Sequence, residues 1–266
     1  MLEKWRKFKA SKRGFYAFWM FLTVFFVSLG AEFVANDKPL VVYCDGQWYF
    51  PIVDNPPETV FGGEFLTPAD YKDPFVRRKI NENGFFVMPP IPYRYDTIVY
   101  DLPLPAPSAP SLKNWLGTDD LGRDVAARLI YGVRFSLLFG LLLTVCSSVI
   151  GITAGAVQGY FGGKVDLFGQ RFLEIWGSLP QLFILIIVSG MVTAGFWPLL
   201  FVLLLFSWTA LVPVVRAEFL RVRNFDYVKA AHALGASDIR IMARHVFPNA
   251  MVATLTYLPF ILSGAV

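Results

Sequence analysis

The stretch LFILIIVSGMVTAGFWPLLFVLLLFSWTALVPVV, residues 182–215, holds no Asp, Glu, Lys or Arg over its 34 positions. One helix that crosses the hydrocarbon core of a membrane needs about 20 apolar residues. The stretch is therefore too long for one spanning helix and long enough for two, and Gly195 and Pro198 are turn formers at its middle. We predict a helical hairpin that turns at residues 194–198. The first helix of this hairpin is the third span of the chain, which starts near Arg171. The second helix is the fourth span, which ends near Val215.

Three more segments are long, apolar and almost free of charged residues. Residues 135–163 and 245–266 also lack Asp, Glu, Lys and Arg, and the run 15–35 is interrupted only by Glu32. They predict a first span at 15–35, a second at 135–158 and a fifth that begins at Pro248, a residue suited to a first helical turn. Any single run also fits the core helix of a soluble protein. Four runs in a chain with only 17% charged residues indicate an all-α polytopic membrane protein.

The placement of basic residues predicts the orientation. Six basic residues and one acid, Glu3, occupy the first 13 positions. Basic clusters beside apolar spans favour the cytoplasmic side, so we predict a cytoplasmic N-terminus and no nucleic-acid partner, despite the net charge of +4. The first run is longer than the apolar region of a signal peptide and lacks an A-x-A site, so we interpret it as a retained helix. The basic residues are Lys4, Arg6, Lys7, Lys9, Lys12 and Arg13.

Residues 36–134 differ sharply from the rest. Thirteen of the 18 prolines lie between 36 and 114, together with many aromatic residues. Proline disfavours long helices and central strands, whereas disordered segments are poor in aromatics. We predict an ordered, mixed or irregular extracytoplasmic insertion, followed by a lead-in helix. The chain is predicted to have three parts. Residues 1–35 are a cytoplasmic N-terminus and the first span, and residues 36–134 are the insertion with its lead-in helix. Residues 135–266 are the core, which contains a cytoplasmic loop, 216–247.

The loop carries an excess of basic residues and the sequence signals of two short helices. Its basic residues outnumber its acids by six to three between 216 and 249, which favours the cytoplasm. Tyr227 to Leu234 is Ala-rich and predicts a helix, Gly235 fits the position that follows a helix, and Ser237 fits the N-cap of a second helix. Small residues at Ala230, Ala231 and Gly235 offer a flat face to another protein, although surface helical hairpins are also common.

Two strings in this part of the chain carry a family resemblance. The string KAAHALGASDIRIMARHVFP, 229–248, resembles the EAA loop of ABC importer permeases at Ala230, Ala231, Gly235 and Pro248. Lys229 stands where that motif has Glu, and Phe247 where it has Leu. The string LGTDDLGRDVAARLIYGVRFSL, 116–137, resembles the signature of dipeptide, oligopeptide and nickel permeases. The resemblance runs from about residue 116 to residue 266.

Shorter strings narrow the resemblance. ANDKPL (35–40), WYFP (48–51), QGYFGGKVDLFGQRF (158–172) and VVRAEFLRVRNFDY (214–227) are similar to Yej-type permeases of peptide and microcin C importers. Such a permease is a non-catalytic subunit of the bacterial inner membrane. The resemblance implies a homologous second permease, ATPase subunits that bind ATP and Mg, a periplasmic substrate-binding protein, and no cofactor in this chain. Family members continue into a sixth span, so we expect that helix to be missing beyond Val266.

The resemblance also suggests functional residues. Coupling to an ATPase subunit is expected of Tyr227, Ala230, Ala231, Gly235 and Asp238. The prolines of the third and fourth spans, Pro180 and Pro213, are candidates for a gate or pathway, or else for ordinary kinks.

Other classes of function find less support. The chain has no GxxxxGK[ST], HExxH or GxSxG motif, and neither its cysteines nor its histidines have the spacing of a metal site. A permease for nickel or another small chelate, a secondary transporter and a membrane enzyme are the alternatives. Two helical ion pairs are also predicted, Asp124 with Arg128 and Arg171 with Glu174.

Overall fold

The computed structural model describes residues 8–102, 104–193 and 195–266. The first seven residues, with half of the predicted basic cluster, lie outside the described residues, as do Pro103 and Ala194, which begins the predicted turn of the hairpin. The described residues group into two compact units, Met1–Phe135 and Ser136–Val266, and each is described by itself. The domain boundaries inferred from sequence, and the membrane sidedness that goes with them, stay predictions.

Helices dominate both units, and a short sheet lies in the first. In chain order the elements are α1 (Lys12–Leu29), α2 (Ala31–Val34), β1 (Val41–Cys44), β2 (Gln47–Tyr49), α3 (Pro74–Asn83), β3 (Gly84–Val87), α4 (Val125–Phe161), α5 (Gly163–Gly177), α6 (Gln181–Met191), α7 (Phe196–Ser207), α8 (Val212–Val222), α9 (Asp226–Ala233), α10 (Asp238–Ile241) and α11 (Phe247–Ala265).

The proline-rich insertion is ordered around an antiparallel sheet with strand order β2-β1-β3. Strand β1 alternates between two faces because successive side chains of a strand point in opposite directions. Val42 and Cys44 are buried against α3, while Tyr43 on the other face pairs with Trp48 and Phe85 on the neighbouring strands, at ring-centroid distances of 4.9 and 5.8 Å. Aromatic cross-strand pairs stabilise such small sheets. The insertion is ordered, as predicted.

A second cluster in this unit joins α2 to the first turns of α4. Ala31 and Ala35 are fully buried against Ala127 and Tyr131, and the Tyr131 hydroxyl donates to the carbonyl oxygen of Ala35 at 2.9 Å. Glu32, the one charge in the first apolar run, forms an ion pair with Arg134 at 2.7 Å. A charge at this position is tolerated because it has a partner within the same unit.

The 116–137 string forms a polar cap at the start of α4. The Asp124 carboxylate accepts from the backbone N–H of Ala127 at 2.7 Å and from the Asn114 amide at 2.8 Å, which makes it a buried N-cap. The predicted Asp124–Arg128 pair is wrong, because Arg128 instead contacts Asp119. Burial acts to raise the pKa of Asp119, but hydrogen bonds from Arg123 outweigh it and lower this pKa overall.

Three helices among the described residues are long and apolar enough to cross a membrane: Val125–Phe161, Phe196–Val222 and Asp238–Ala265. The predicted lead-in helix and second span form one helix, α4. Its 37 residues extend about 55 Å, whereas the hydrocarbon core is about 30 Å thick, so it projects beyond the core. Helix α1 is not among the three; it begins with Lys12 and Arg13, and the first span stays a prediction.

The third predicted span differs most from expectation. Residues 159–166, which lie between the predicted second and third spans, are helical except for a break at Gly162, because α5 already begins at Gly163. Helices α5 and α6 are bent by 63° relative to each other, and together they count as a fourth candidate span only if the pair is one broken span. The predicted Arg171–Glu174 ion pair on α5 is confirmed.

A glycine face lets α4 and α8 approach closely. An added Cβ at Gly155 would lie 2.8 Å from the carbonyl oxygen of Val212 and from the Cβ of Val215. Gly151 and Gly159, one helical turn away on either side, face α8 and the turn before it in the same way. Small residues four apart permit such close helix packing in membranes, where van der Waals contact drives association. This contact forms the base of the buried cluster in the second unit.

We expect Gly155→Leu to destabilise the second unit by about 1–3 kcal/mol, because a side chain at this position must push α8 away. Gly132→Leu on the same helix is the matched control, since a Cβ there meets nothing within 4 Å. Thermal unfolding of the purified protein, followed by loss of the monodisperse peak, measures the difference. Equal melting temperatures for the two variants would contradict the close packing.

Candidate functional site

The segment between α8 and α11 folds as a short helical hairpin. Helix α9 begins and ends one residue earlier than predicted, and α10 follows after a four-residue turn. Both helices place apolar side chains on the core of the unit, which keeps the hairpin in a fixed position on the helices beneath it. The buried residues of this core include Phe219, Val222, Val228, Ile241 and Val246.

The turn of the hairpin is a Schellman motif centred on Gly235. The Gly235 N–H donates to the carbonyl oxygen of His232 at 2.9 Å, and the Ala236 N–H donates to that of Ala231 at 3.2 Å. Gly235 has φ +78°, a conformation that favours glycine. The predicted role of Gly235 after the helix is confirmed. An added Cβ at this position would meet nothing within 4 Å, so the surface around it is open.

The predicted coupling residues divide between surface and core. Ala230 and Gly235 are exposed, and Tyr227 is partly exposed with its hydroxyl 3.1 Å from the Asn249 amide. Ala231 instead packs against the buried cluster, so it does not belong to the flat face that the sequence suggested.

Sequence reasoning missed two apolar residues that project from the same hairpin. Leu234 is 88% exposed and Ile239 is 73% exposed. Exposed leucine and isoleucine side chains next to small residues suit contact with another protein. We call Tyr227, Ala230, Leu234, Gly235 and Ile239 the hairpin surface.

Asp238 connects the hairpin to α4. Its carboxylate accepts a hydrogen bond from the Tyr160 hydroxyl at 2.9 Å, and the same hydroxyl lies 3.1 Å from Nε2 of His232. A hydroxyl has one proton, so when it is donated to Asp238 the His232 Nε2 must carry the hydrogen of the second bond. Ser237 occupies the N-cap of α10, but its side chain makes no capping bond. Tyr160 thus holds both helices of the hairpin.

Two arginines complete the attachment. Arg223 donates to the carbonyl oxygen of Tyr160 at 2.9 Å, in the last turn of α4, where carbonyls have no partner within the helix. Arg216 on α8 forms a bidentate pair with Asp166 in the first turn of α5. Bidentate arginine–carboxylate pairs are both strong and geometrically specific. The start of the loop is therefore bonded to α4 and α5 as well as continuous with α8.

The hairpin runs into the last helix through a widened turn. Residues Met242–Val246 form a π-helical turn, and Pro248 lies in the first turn of α11, as predicted. Proline has no N–H and its ring clashes with the carbonyl four residues earlier in a regular α-helix. The wider π turn just before Pro248 provides the space that the ring needs, so α10 and α11 form one helical rod.

The two prolines predicted as gate residues lie at different helix junctions. Pro180 is exposed at the break between α5 and α6, and Pro213 lies in the first turn of α8, after a 3-10 turn at Trp208–Ala210. Both positions tolerate proline because the missing N–H has no helical partner there. Their geometry accounts for the bend and the junction, and a gate or pathway role stays a prediction.

No cluster of three or more His, Cys, Asp or Glu side chains suited to a metal ion occurs in the described part of the chain. The two cysteines are free, and Cys44 is buried in β1. The conspicuous features of the loop are an exposed apolar surface above a fixed hydrogen-bonded base, an arrangement suited to contact with another protein.

Comparison with known proteins gives the family. The family model "Binding-protein-dependent transport system inner membrane component" matches residues 125–266. The inner membrane ABC transporter permease protein YejE of Escherichia coli (strain K12) is 53% identical over 263 residues, which cover 99% of this chain and 77% of that protein. The peptidoglycan transport system permease protein YejE of Agrobacterium fabrum is 50% identical over 288 residues, covering 99% and 75%. The dipeptide transport system permease protein DppC of Bacillus subtilis is 33% identical over 157 residues, covering 59% and 49%.

We expect Tyr160→Phe to loosen the hairpin without unfolding the unit, because it removes only the hydroxyl that holds α9 and α10. The loss of about 1 kcal/mol corresponds to roughly five-fold faster hydrogen exchange of amides 226–241. Tyr257→Phe, at an exposed tyrosine of α11, is the control and should leave that exchange unchanged. Unchanged exchange in the Tyr160 variant would show that the hydroxyl does not hold the hairpin.

Proposed function

This chain belongs to the family of binding-protein-dependent transport system inner membrane components, and on that premise we propose how it works and what it carries. It is a multi-pass permease subunit of an ABC importer, a non-catalytic membrane component of the transporter. ATPase and substrate-binding subunits are its partners within that family. We propose that the ATPase subunits bind ATP and Mg, that this chain holds no cofactor, and that a homologous permease completes the translocation path.

The hairpin surface is the proposed contact with an ATPase subunit. The observation that carries this proposal is the exposed apolar surface at the turn of a hairpin whose other face is buried in the unit. A change at the ATPase moves the membrane helices only if the connecting element is rigid and contacts the two states differently. The bonds of Asp238 and Arg223 to Tyr160 of α4, and of Arg216 to Asp166 of α5, make the hairpin such an element.

The orientation follows from charge. With the N-terminus in the cytoplasm, the insertion 36–134 lies outside, where a binding protein delivers its ligand, and the loop 216–247 lies inside, where the ATPases are. The basic residues of the loop favour the inside independently of the count of helices. In this orientation the chain lies in the bacterial inner membrane.

A peptide or peptide-like compound is the proposed cargo. The relatives named as peptidoglycan, dipeptide and oligopeptide transport system permeases support it, and the two Yej relatives cover the insertion as well as the core. A nickel or other small-chelate permease is the alternative that the shared core pattern allows. The proposed cargo is tested by measuring whether the peptide-loaded binding protein stimulates ATP hydrolysis by the transporter in reconstituted vesicles.

Gly235→Trp should abolish transport and weaken ATPase co-purification while the permease still inserts. The surrounding space is open, so the indole does not disturb the core but covers the hairpin surface. Gly235→Asn is the matched control, because asparagine tolerates a positive φ and is small. Gly235→Ala should cost about 1 kcal/mol, from backbone strain alone. Normal transport by the tryptophan variant would remove the coupling role.

The orientation is tested with single cysteines in a chain where Cys44 and Cys146 are replaced by alanine. Leu112→Cys in the insertion and Leu234→Cys in the hairpin both use highly exposed positions. In spheroplasts, a membrane-impermeant maleimide should label residue 112 at once and residue 234 only after the membrane is broken. The reverse order would overturn the orientation. The buried native Cys44 is unsuited to this measurement.

A further inference from the structure

The insertion contains a cavity with a cationic lining. Its volume is about 520 Å³, within the range of about 300–1,000 Å³ typical of small-molecule sites. Lys72, Arg77 and Lys113 line it together with one carboxylate, Asp101, and the remaining walls are proline, tyrosine and aliphatic side chains. All of these residues belong to the first unit. Neither the family match nor the coupling loop involves this cavity.

Lys72 is the least compensated of the three cations. Asp101 is paired with Lys113 at 3.3 Å, and both side chains are exposed. The Lys72 ammonium has no ion pair or hydrogen bond among the described residues; its neighbour is the ring of Tyr93, 5.0 Å from the ring centre. Lys72 is half-buried, and burial lowers the pKa of its ammonium group.

Nearby carboxylates are already engaged. Asp37 and Asp70 act with Asp101 to raise the pKa of Lys72, but less than burial and Arg77 lower it. The Asp37 carboxylate accepts from the Thr97 hydroxyl, and Asp70 accepts from the backbone N–H of Lys72. None of these carboxylates forms an ion pair with Lys72 among the described residues, so an anion that enters the cavity can be the direct partner of its ammonium group.

Arg77 is positioned for the same anion. Its Nε donates to the carbonyl oxygen of Tyr71 at 2.8 Å, and its guanidinium lies 5.9 Å from the ring centre of Phe86. Its terminal amino groups make no hydrogen bond within the described ranges 8–102, 104–193 and 195–266. A guanidinium held at one nitrogen presents the others in a fixed geometry, which suits a carboxylate.

We propose that this cavity binds the C-terminal carboxylate of a short peptide. Lys72 and Arg77 pair with the carboxylate, and the proline and tyrosine walls contact the peptide body. Two cations with unused hydrogen-bond donors recognise an oxyanion. That the oxyanion is the C-terminal carboxylate of a peptide rests on the proposed function, because a permease for peptides meets this carboxylate on every unmodified cargo molecule.

The test uses the full chain in lipid nanodiscs and isothermal titration with acetyl-Ala-Ala, its C-terminal amide, and inorganic phosphate. The free acid should bind at least ten-fold more tightly than the amide and than phosphate. Lys72→Met should abolish this preference, and Lys72→Arg should keep it. Lys79→Met, which removes a surface lysine paired with Glu82, should change nothing.

Equal affinity for acid and amide, or an unchanged preference in Lys72→Met, would overturn the proposal. Phosphate binding as tight as that of the peptide acid would overturn the peptide as the ligand. The proposed cargo is judged separately by stimulation of ATP hydrolysis with the peptide-loaded binding protein. If that stimulation occurs and the titration fails, only the cavity proposal is wrong; if stimulation fails, the cargo proposal is wrong whatever the cavity binds.

Discussion

The close approach of α4 and α8 is the constraint on which the second unit depends. Gly151, Gly155 and Gly159 remove the side chains that would separate the two helices, and the buried cluster forms along this contact. The same approach brings the end of α4 beside the loop that follows α8, so that Tyr160 and Arg223 meet. A side chain at the glycine positions would therefore change the base of the hairpin as well as the helix packing.

In the proposed coupling, the hairpin transmits motion mechanically. The hairpin is held from below by buried side chains and by hydrogen bonds to α4, and the residues of the hairpin surface are small, aliphatic or aromatic. Force applied at the hairpin surface therefore passes to several membrane helices at once, rather than being absorbed by a flexible loop. Packed helices that respond as units, through small shifts or rotations, are a common basis of switching between two states.

Much of this could be predicted from sequence because local signals carried it. Gly235 and Pro248 follow from backbone rules, and the apolar parts of the three candidate spans coincide with charge-free runs. The Tyr160–Asp238 bond could not be predicted, since its partners are 78 residues apart and only tertiary packing brings them together. Spacing alone paired Asp124 with Arg128, whereas the N-cap position gave Asp124 other partners. The break at Pro180 was visible as a proline, but its 63° bend was not.

The most direct measurement places a photo-crosslinking amino acid at Ile239, on the hairpin surface, in the assembled transporter. Irradiation should join this chain to an ATPase subunit, and ATP should change the yield, because the contact differs between the two states. The same amino acid at Leu255, an exposed position of α11, should not reach the ATPase. Crosslinking of residue 239 only to another membrane subunit, or equal capture of the ATPase from residue 255, would contradict the account.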